Sequence, residues 1–191
     1  TRYALSEYET RVLDMWDAFY QGIDIKVIGF PVWADEFGAD YPLDSLPLWK
    51  QSFIKKNRDL YARNKSHIKK WQKQFDNLDW VKPTHRKFEW QAGSEYQSVY
   101  ECLIQFRPSG VRVRRPDKFS TLVAMNHAQI VGRYRRRLTP HETKLLQSLP
   151  KKFKLHKQSH TALKQLGNAV NVVVVKAVAS ALLAAALHAK S

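Results

Sequence analysis

Gln165-Leu166-Gly167-Asn168-Ala169-Val170 opens the stretch on which the reading of this 191-residue sequence turns. From Val170 to Leu187 the chain is almost wholly apolar, interrupted only by Asn171, Lys176 and Ser180. A helix that is apolar nearly all round has to be covered. Burying each large side chain between Val172 and Leu187 is worth on the order of 1.5 kcal/mol or more, and the rest of the chain offers little core to do it. A bilayer span needs roughly twenty apolar residues. With Lys176 in its first half and alanines filling the second, the segment reads as a buried helix rather than a membrane span. Gly167 permits a tight backbone approach, and Asn168 is expected to cap the helix while offering polar atoms to a ligand.

Upstream, Arg136-Arg137-Leu138-Thr139-Pro140-His141-Glu142 is a helix start. Thr139 is the N-cap, Pro140 takes the first helical position, and Glu142 reaches back as the capping-box partner. Leu145, Leu146 and Leu149 form its apolar side and Pro150 is expected to stop it.

Between Leu103 and Arg137 lie nine Lys and Arg against the single acid Asp117. Tyr100–Phe106, Gly110–Arg114 and Ser120–Met125 read as three strands separated by Pro108, Gly110 and Pro116. Arg107, Arg112, Arg114, Arg115 and Lys118 sit on or between them, and Arg133, Arg135, Arg136 and Arg137 precede the helix. The guanidinium fork matches phosphate oxygens and the major-groove edge of guanine. Ser109, Asn126, His127 and Gln129 add base-edge donors and acceptors among these cations. So dense a cluster with one acid implies an anionic partner, duplex DNA foremost.

Toward the N-terminus, Ser6-Glu7-Tyr8-Glu9 is a second capping box, followed by Val12, Leu13, Trp16, Phe19 and Tyr20 at helical spacing to Gly22. Ile25–Trp33 reads as a strand or extended segment, and Asp35–Pro47 as a loop. Trp49–Phe75 reads as one helix of about seven turns, with Phe53, Ile54, Asn57, Leu60, Tyr61, Asn64, Ile68, Trp71 and Phe75 on one stripe and a basic opposite face that reads as solvated. Asp76–Gly93 is Trp-rich and irregular. The fold class is α+β: helices with a small, mostly antiparallel β region, ending in an apolar helix. Three segments are expected: a helical and irregular part over 1–95, a β-rich basic part over 96–137, and a helical segment over 138–191.

The net charge of +15 is uneven. Residues 1–50 hold four Lys and Arg against nine Asp and Glu; the rest hold twenty-eight against eight. Cys102 is the only cysteine, which rules out an intrachain disulfide or a thiolate metal cluster and fits a reducing, cytoplasmic setting. The opening residues are polar and acidic and carry no secretory signal pattern. His85, His156 and His160 read as surface residues, and no metal-ligand spacing or paired-carboxylate pattern supports a nuclease built on His127, His141, Glu142 and His160.

The order of these elements resembles the last two motifs of the DNA (cytosine-5) methyltransferases. The match runs through Arg136, Leu138, Thr139, Pro140, Glu142, Leu146, Gln147 and Pro150, then Gln165 to Val170. Gly110-Val111-Arg112 and the pair Thr121-Leu122 resemble the end of that family's target-recognition domain. The resemblance covers about residues 103 to 187, with residues 1–102 a family-variable part. It implies that Asn168, Ala169 and Val170 border S-adenosylmethionine, and that the final helix belongs to an α/β methyltransferase domain. The resemblance also makes Arg107, Ser109, Arg112, Arg114, Arg115, Thr121, Leu122, Asn126, His127, Gln129, Arg133, Arg135 and Arg136 DNA-facing residues.

The departures are specific. Family members usually carry Arg at the positions of His141 and Leu145, and Gly-Phe at Ser148-Leu149. The nucleophilic Pro-Cys, the Gly-rich cofactor turn and the Glu-Asn-Val strand end do not occur in these residues; Cys102 follows Glu101. Cytosine methylation needs a thiolate, an acid near the ring nitrogen and a methyl donor. The chain alone is therefore expected to be inactive, with the early motifs on a catalytic subunit or an N-terminal half. The alternative is a stand-alone DNA-binding module or a degenerate remnant.

Overall fold

Ser6 starts the first helix as its capping box requires. Its Oγ accepts from the Glu9 amide at 3.2 Å and the Glu9 carboxylate accepts from the Ser6 amide at 3.0 Å, so α1 runs Glu7–Gly22. In the computed structural model, which describes residues 2–123 and 129–188, two compact units form. One contains residues 2–118 and 129–137, the other residues 119–123 and 138–188. The elements match the α+β expectation.

The first unit is built on a six-stranded sheet of β1 (Val32–Trp33), β2 (Lys87–Gln91), β3 (Leu103–Arg107), β4 (Gly110–Arg114), β5 (Ile130–Val131) and β6 (Arg136–Arg137). Their order is β1-β2-β4-β3-β5-β6, and every neighbouring pair is antiparallel except β2 with β4. Tyr3–Leu5 runs on beyond β6: the Arg137 amide donates to Tyr3 O at 2.8 Å and the Leu5 amide to Arg135 O at 3.2 Å. Gly110 has φ +134, and a Cβ there would lie 2.7 Å from the Lys87 carbonyl oxygen. Only glycine lets β4 start this close to β2.

One face of the sheet is core. Phe88 and Trp90 from β2, Val111 and Val113 from β4, Ile104 from β3 and Ile130 from β5 are buried there with the apolar face of α1. Trp16 stacks on Phe88 with ring centroids 4.8 Å apart, and Tyr20 stacks on Trp90 at 3.6 Å. Trp71 packs on Trp16 and donates Nε1–H to Met15 O at 2.7 Å. Large aromatic rings anchor this core, and the indole N–H groups of Trp16, Trp71 and Trp90 donate to backbone carbonyls.

Several expectations change. The long helix is broken: α2 spans Leu48–Arg63 and α3 spans Lys65–Gln74. Asn64 between them has φ −112 and ψ 22, because its side chain is used elsewhere. Its Oδ1 accepts from the Asp24 amide at 2.9 Å and its Nδ2 donates to Asp24 Oδ1 at 2.7 Å. Asn57, fully buried, similarly ties α2 to the strand edge through Trp33 N and Pro31 O. Lys87–Gln91, inside the segment expected to be irregular, is a strand at the centre of the fold. Of Ile25–Trp33 only Val32–Trp33 is strand, Val99–Glu101 is a 3-10 turn ahead of β3, and Ser120–Val123 has no regular structure.

The second unit holds α4 (Pro140–Leu146), α5 (Ser159–Asn168) and α6 (Val172–His188). Thr139 and Glu142 form the expected capping box, with bonds of 3.2 and 2.9 Å. α4 ends at Leu146, before Pro150, in a Schellman turn: the Ser148 amide donates to Leu145 O at 2.9 Å and the Leu149 amide to Lys144 O at 3.3 Å. Gly167 lies within α5 rather than in a turn, so Asn168 ends one helix instead of capping the next.

Candidate nucleic-acid face and cofactor-side turn

Strand periodicity sends Val111 and Val113 into the core and Arg112 and Arg114 to the opposite face. Registration puts Arg112 between Glu89 and Gln105, and Arg114 between Gln91 and Leu103. Arg107 and Lys87 flank Gly110 at the end of the same face. The result is a sheet face carrying guanidinium, amide and carboxylate groups, all in fixed register.

Glu89, which sequence reasoning did not select, controls Arg112. Its Oε2 accepts from Nε at 2.7 Å and from Nη2 at 2.6 Å. The alternation Lys87-Phe88-Glu89-Trp90-Gln91 was the available signal, hidden by the Trp-rich context. Three other cations are neutralised by acids far away in sequence. Arg115 pairs with Glu95 at 2.8 Å and donates to Ala92 O; Arg135 lies 3.8 Å from Asp14; Arg137 pairs with Glu9. Burial pushes the Glu9 carboxyl up, but the hydrogen bonds from Arg137 and Ser6 outweigh it and hold it below its ordinary value. The acid-poor 103–137 segment is thus partly balanced by α1 and β2, which weakens the inference that its charge alone demands a polyanion.

The remaining expected DNA-facing residues lie in several different elements. Arg107 ends β3, and its Nη1 is buried with no hydrogen-bond partner among the described residues. Gln129, immediately before β5, is 3% exposed, and neither amide atom has a partner among the described residues. Such orphaned polar atoms cost free energy. Arg133 is exposed in the 3-10 turn Gly132–Tyr134. Arg135 adopts a left-handed conformation, φ +47, with its guanidinium 3.9 Å over the Tyr100 ring. Arg136 on β6 donates to Arg137 O and lies 5.6 Å from the Tyr134 ring. Ser109 is exposed in the β3–β4 turn; Thr121 is exposed and Leu122 half-buried in the second unit. Asn126 and His127 lie outside the described residues.

The segment from Gln165 to Val170 is held by a side chain to which no role was given in advance. Gln147, 7% exposed, donates Nε2–H to Leu166 O at 2.8 Å and to Ala169 O at 3.0 Å, and its own carbonyl accepts from the Val172 amide at 3.2 Å. Asn171, not Asn168, caps α6: its Oδ1 accepts from the Val174 amide at 3.1 Å while Nδ2 donates to Leu146 O at 2.9 Å. Asn168 is left exposed, Ala169 half-buried, and Val170 is 64% exposed. The sequence signal for Asn171 was its place three residues before Val174, the spacing of an N-cap.

α6 is not covered. Every residue from Val172 to Leu187 is exposed, including Val173, Val178, Leu182, Leu183 and Leu187. By length and composition alone, Ser159–Leu187 is apolar enough to cross a membrane.

Cys102 is buried, and burial pushes its thiol up to about 12. A thiol so protonated is no nucleophile at neutral pH. His85 is half-buried rather than superficial, its Nδ1 2.9 Å from the Tyr8 hydroxyl. His141 and His160 are exposed, Glu142 is engaged in the α4 cap, and no three His, Cys, Asp or Glu side chains converge as a metal site among the described residues.

A family model, C-5 cytosine-specific DNA methylase, matches residues 39–184, reaching well upstream of the segment whose motifs were legible. The chain is 39% identical over 135 residues to the type II methyltransferase M.AluI of Cellulosimicrobium cellulans. That alignment covers 70% of this chain and 26% of the relative, so the chain spans about a quarter of that protein's length. No solved structure matches the chain. The family match over most of its length and the identity to this relative lead to one conclusion: this chain belongs to the C-5 cytosine-specific DNA methylase family.

Proposed function

We propose that the chain is the target-recognising, C-terminal portion of a DNA (cytosine-5) methyltransferase of restriction-modification type. In this reading it binds duplex DNA sequence-specifically and completes the S-adenosylmethionine pocket of a catalytic part that bears the early motifs. The observation that carries it is α6: seventeen residues, apolar nearly all round, with Val172–Leu187 exposed and joined to the family's Gln-Leu-Gly-Asn-Ala-Val segment. Leaving that surface in water is costly, and a catalytic α/β domain would cover it.

The residues at the turn fit one wall of a cofactor pocket. Asn168 is exposed and its amide makes no hydrogen bond among the described residues, so both its donor and acceptor are open to a ligand. Val170 beside it offers apolar surface. Bound S-adenosylmethionine supplies the methyl group. Asn168 would orient the cofactor by hydrogen bonding, Ala169 and Val170 would exclude water, and Gln147 would hold the backbone of all three.

The sheet face would read the duplex. Arg112 and Arg114 suit guanine edges or phosphates, and Gln105 suits an adenine edge. Extrusion of the cytosine and attack on its ring fall to the catalytic part, since Cys102 is buried and protonated. The test is transfer of a tritiated methyl group to duplex DNA. The chain alone should give none, a polypeptide with the Pro-Cys and Glu-Asn-Val motifs should give little, and the two together should give sequence-specific transfer. Equal transfer, at equal sites, without this chain would overturn the proposal.

A further inference from the structure

Resting on that DNA-binding reading, we infer that α2 and α3 carry a second DNA-contacting surface, which anchors phosphates and reads no sequence. Lys65, Lys69, Lys70 and Lys73 on α3 are exposed, as are Lys55 and Lys56 on α2. Asp59 is the only acid in the two helices, and none of these six lysines makes an ion pair among the described residues. The sheet face is different: apart from Lys87 its cations are arginines, and Arg112 is locked on a carboxylate.

The lysines lie on the helical side of the unit. α3 buries Ile68 and Trp71, with Trp71 against Met15 and Trp16 of α1, while Trp16 stacks on the core face of β2. The exposed lysines therefore point away from the sheet's polar face. Lys65, Lys69 and Lys73 follow one another at i, i+4, i+8, about 6 Å apart along the axis, well inside a screening length of about 8 Å at physiological salt. Like charges in that row destabilise the helix, and Lys65 stands at its first position, against the helix dipole. A polyanion alongside reverses the sign of all these terms. Lysine presents a compact point charge on a flexible stem, suited to phosphate oxygens rather than to the bidentate reading of a base.

The division of labour that follows is reading by arginines on the sheet and anchoring by lysines on the helices. Lysines that neutralise phosphates release counterions whatever the sequence. The test uses the full chain, fluorescently labelled random-sequence duplex fragments, and anisotropy over a potassium chloride series. Replacing Lys65, Lys69, Lys70 and Lys73 together by Gln should lower the slope of log K against log salt by about 3.6, at roughly 0.9 for each phosphate no longer neutralised. The matching fourfold Arg variant should keep the parental slope, with circular dichroism confirming folding of both. A slope unmoved by the Gln variant overturns the inference while leaving DNA binding intact. A fall in slope shared by the Arg variant overturns it too, because charge would not be the cause. Failure of the parent chain to bind duplex at low salt removes the DNA reading itself, and this surface with it.

Discussion

The side chain of Gln147, at the end of α4, donates to the carbonyl oxygen of Ala169 twenty-two residues later, at 3.0 Å. The same amide nitrogen serves Leu166 O, so one buried side chain fixes the backbone that leads from α5 into α6. Gln147→Ala removes both bonds and leaves two carbonyls without that donor. The expected cost is about 2 kcal/mol, read as a lowered urea midpoint, with faster amide exchange over 166–175. If S-adenosylmethionine binding depends on this turn, the reconstituted enzyme should show a raised Kd for it.

Ser148 occupies the left-handed position of the Schellman turn, φ +54, where family members usually carry glycine. A side chain there is strained by roughly 1 kcal/mol or more, partly offset by the lower entropy of the unfolded serine chain. Ser148→Gly should therefore stabilise the second unit by about 0.5 kcal/mol, even though it removes the 3.3 Å hydrogen bond from Asn171. Thermal melts of the two forms decide it; a lowered melting point would refute the backbone strain.

Glu89 and Arg112 are half-buried partners on the polar face of the sheet. Removing Arg112 leaves the carboxylate without its counter-charge, so Arg112→Ala should lose about 1 kcal/mol of stability as well as DNA affinity. Glu89→Gln should retain the fold but free the guanidinium, raising affinity for random duplex and lowering discrimination between duplexes. Competition binding with a pool of duplexes measures both. Equal discrimination in parent and Glu89→Gln would show that the pair does not orient a reader.

His85 supplies a pH test. Burial, and then the charge of Lys82, hold its imidazole below the ordinary value, so the folded state favours the neutral ring. Its contribution is complete above the unfolded value of about 6.5 and is lost as pH falls through the lowered folded value, because the unfolded state takes up the proton first. Stability should decline over that window, and His85→Gln, which can still accept from Tyr8, should flatten the decline. Denaturant midpoints at a series of pH values measure it.

Local features were legible in the sequence and distant ones were not. The capping boxes Ser6/Glu9 and Thr139/Glu142 lie within four residues and formed as read, as did the alternation of β4. The break at Asn64 depends on Asp24, forty residues away, so periodicity alone ran the helix straight through it. β2 pairs in parallel with β4, a partnership no local pattern announces. Charge was misjudged for the same reason, since Arg135 and Arg137 find Asp14 and Glu9 on α1 only after folding. At the Gln165–Val170 motif the helix cap lies three residues later than the sequence suggests, because Asn168 and Asn171 are equally good caps until α5 is seen to run through Gly167.

The claim that α6 and the Gln165–Val170 segment before it complete a cofactor pocket is tested most directly by calorimetric titration of S-adenosylmethionine. The titration is run into the motif-bearing catalytic polypeptide, first alone and then with this chain. Binding should be at least tenfold tighter with the chain, about 1.4 kcal/mol, and the gain should vanish when Val172–Leu187 is removed. Equal affinity in both titrations, with α6 still fully exposed to solvent in the mixture, would contradict it.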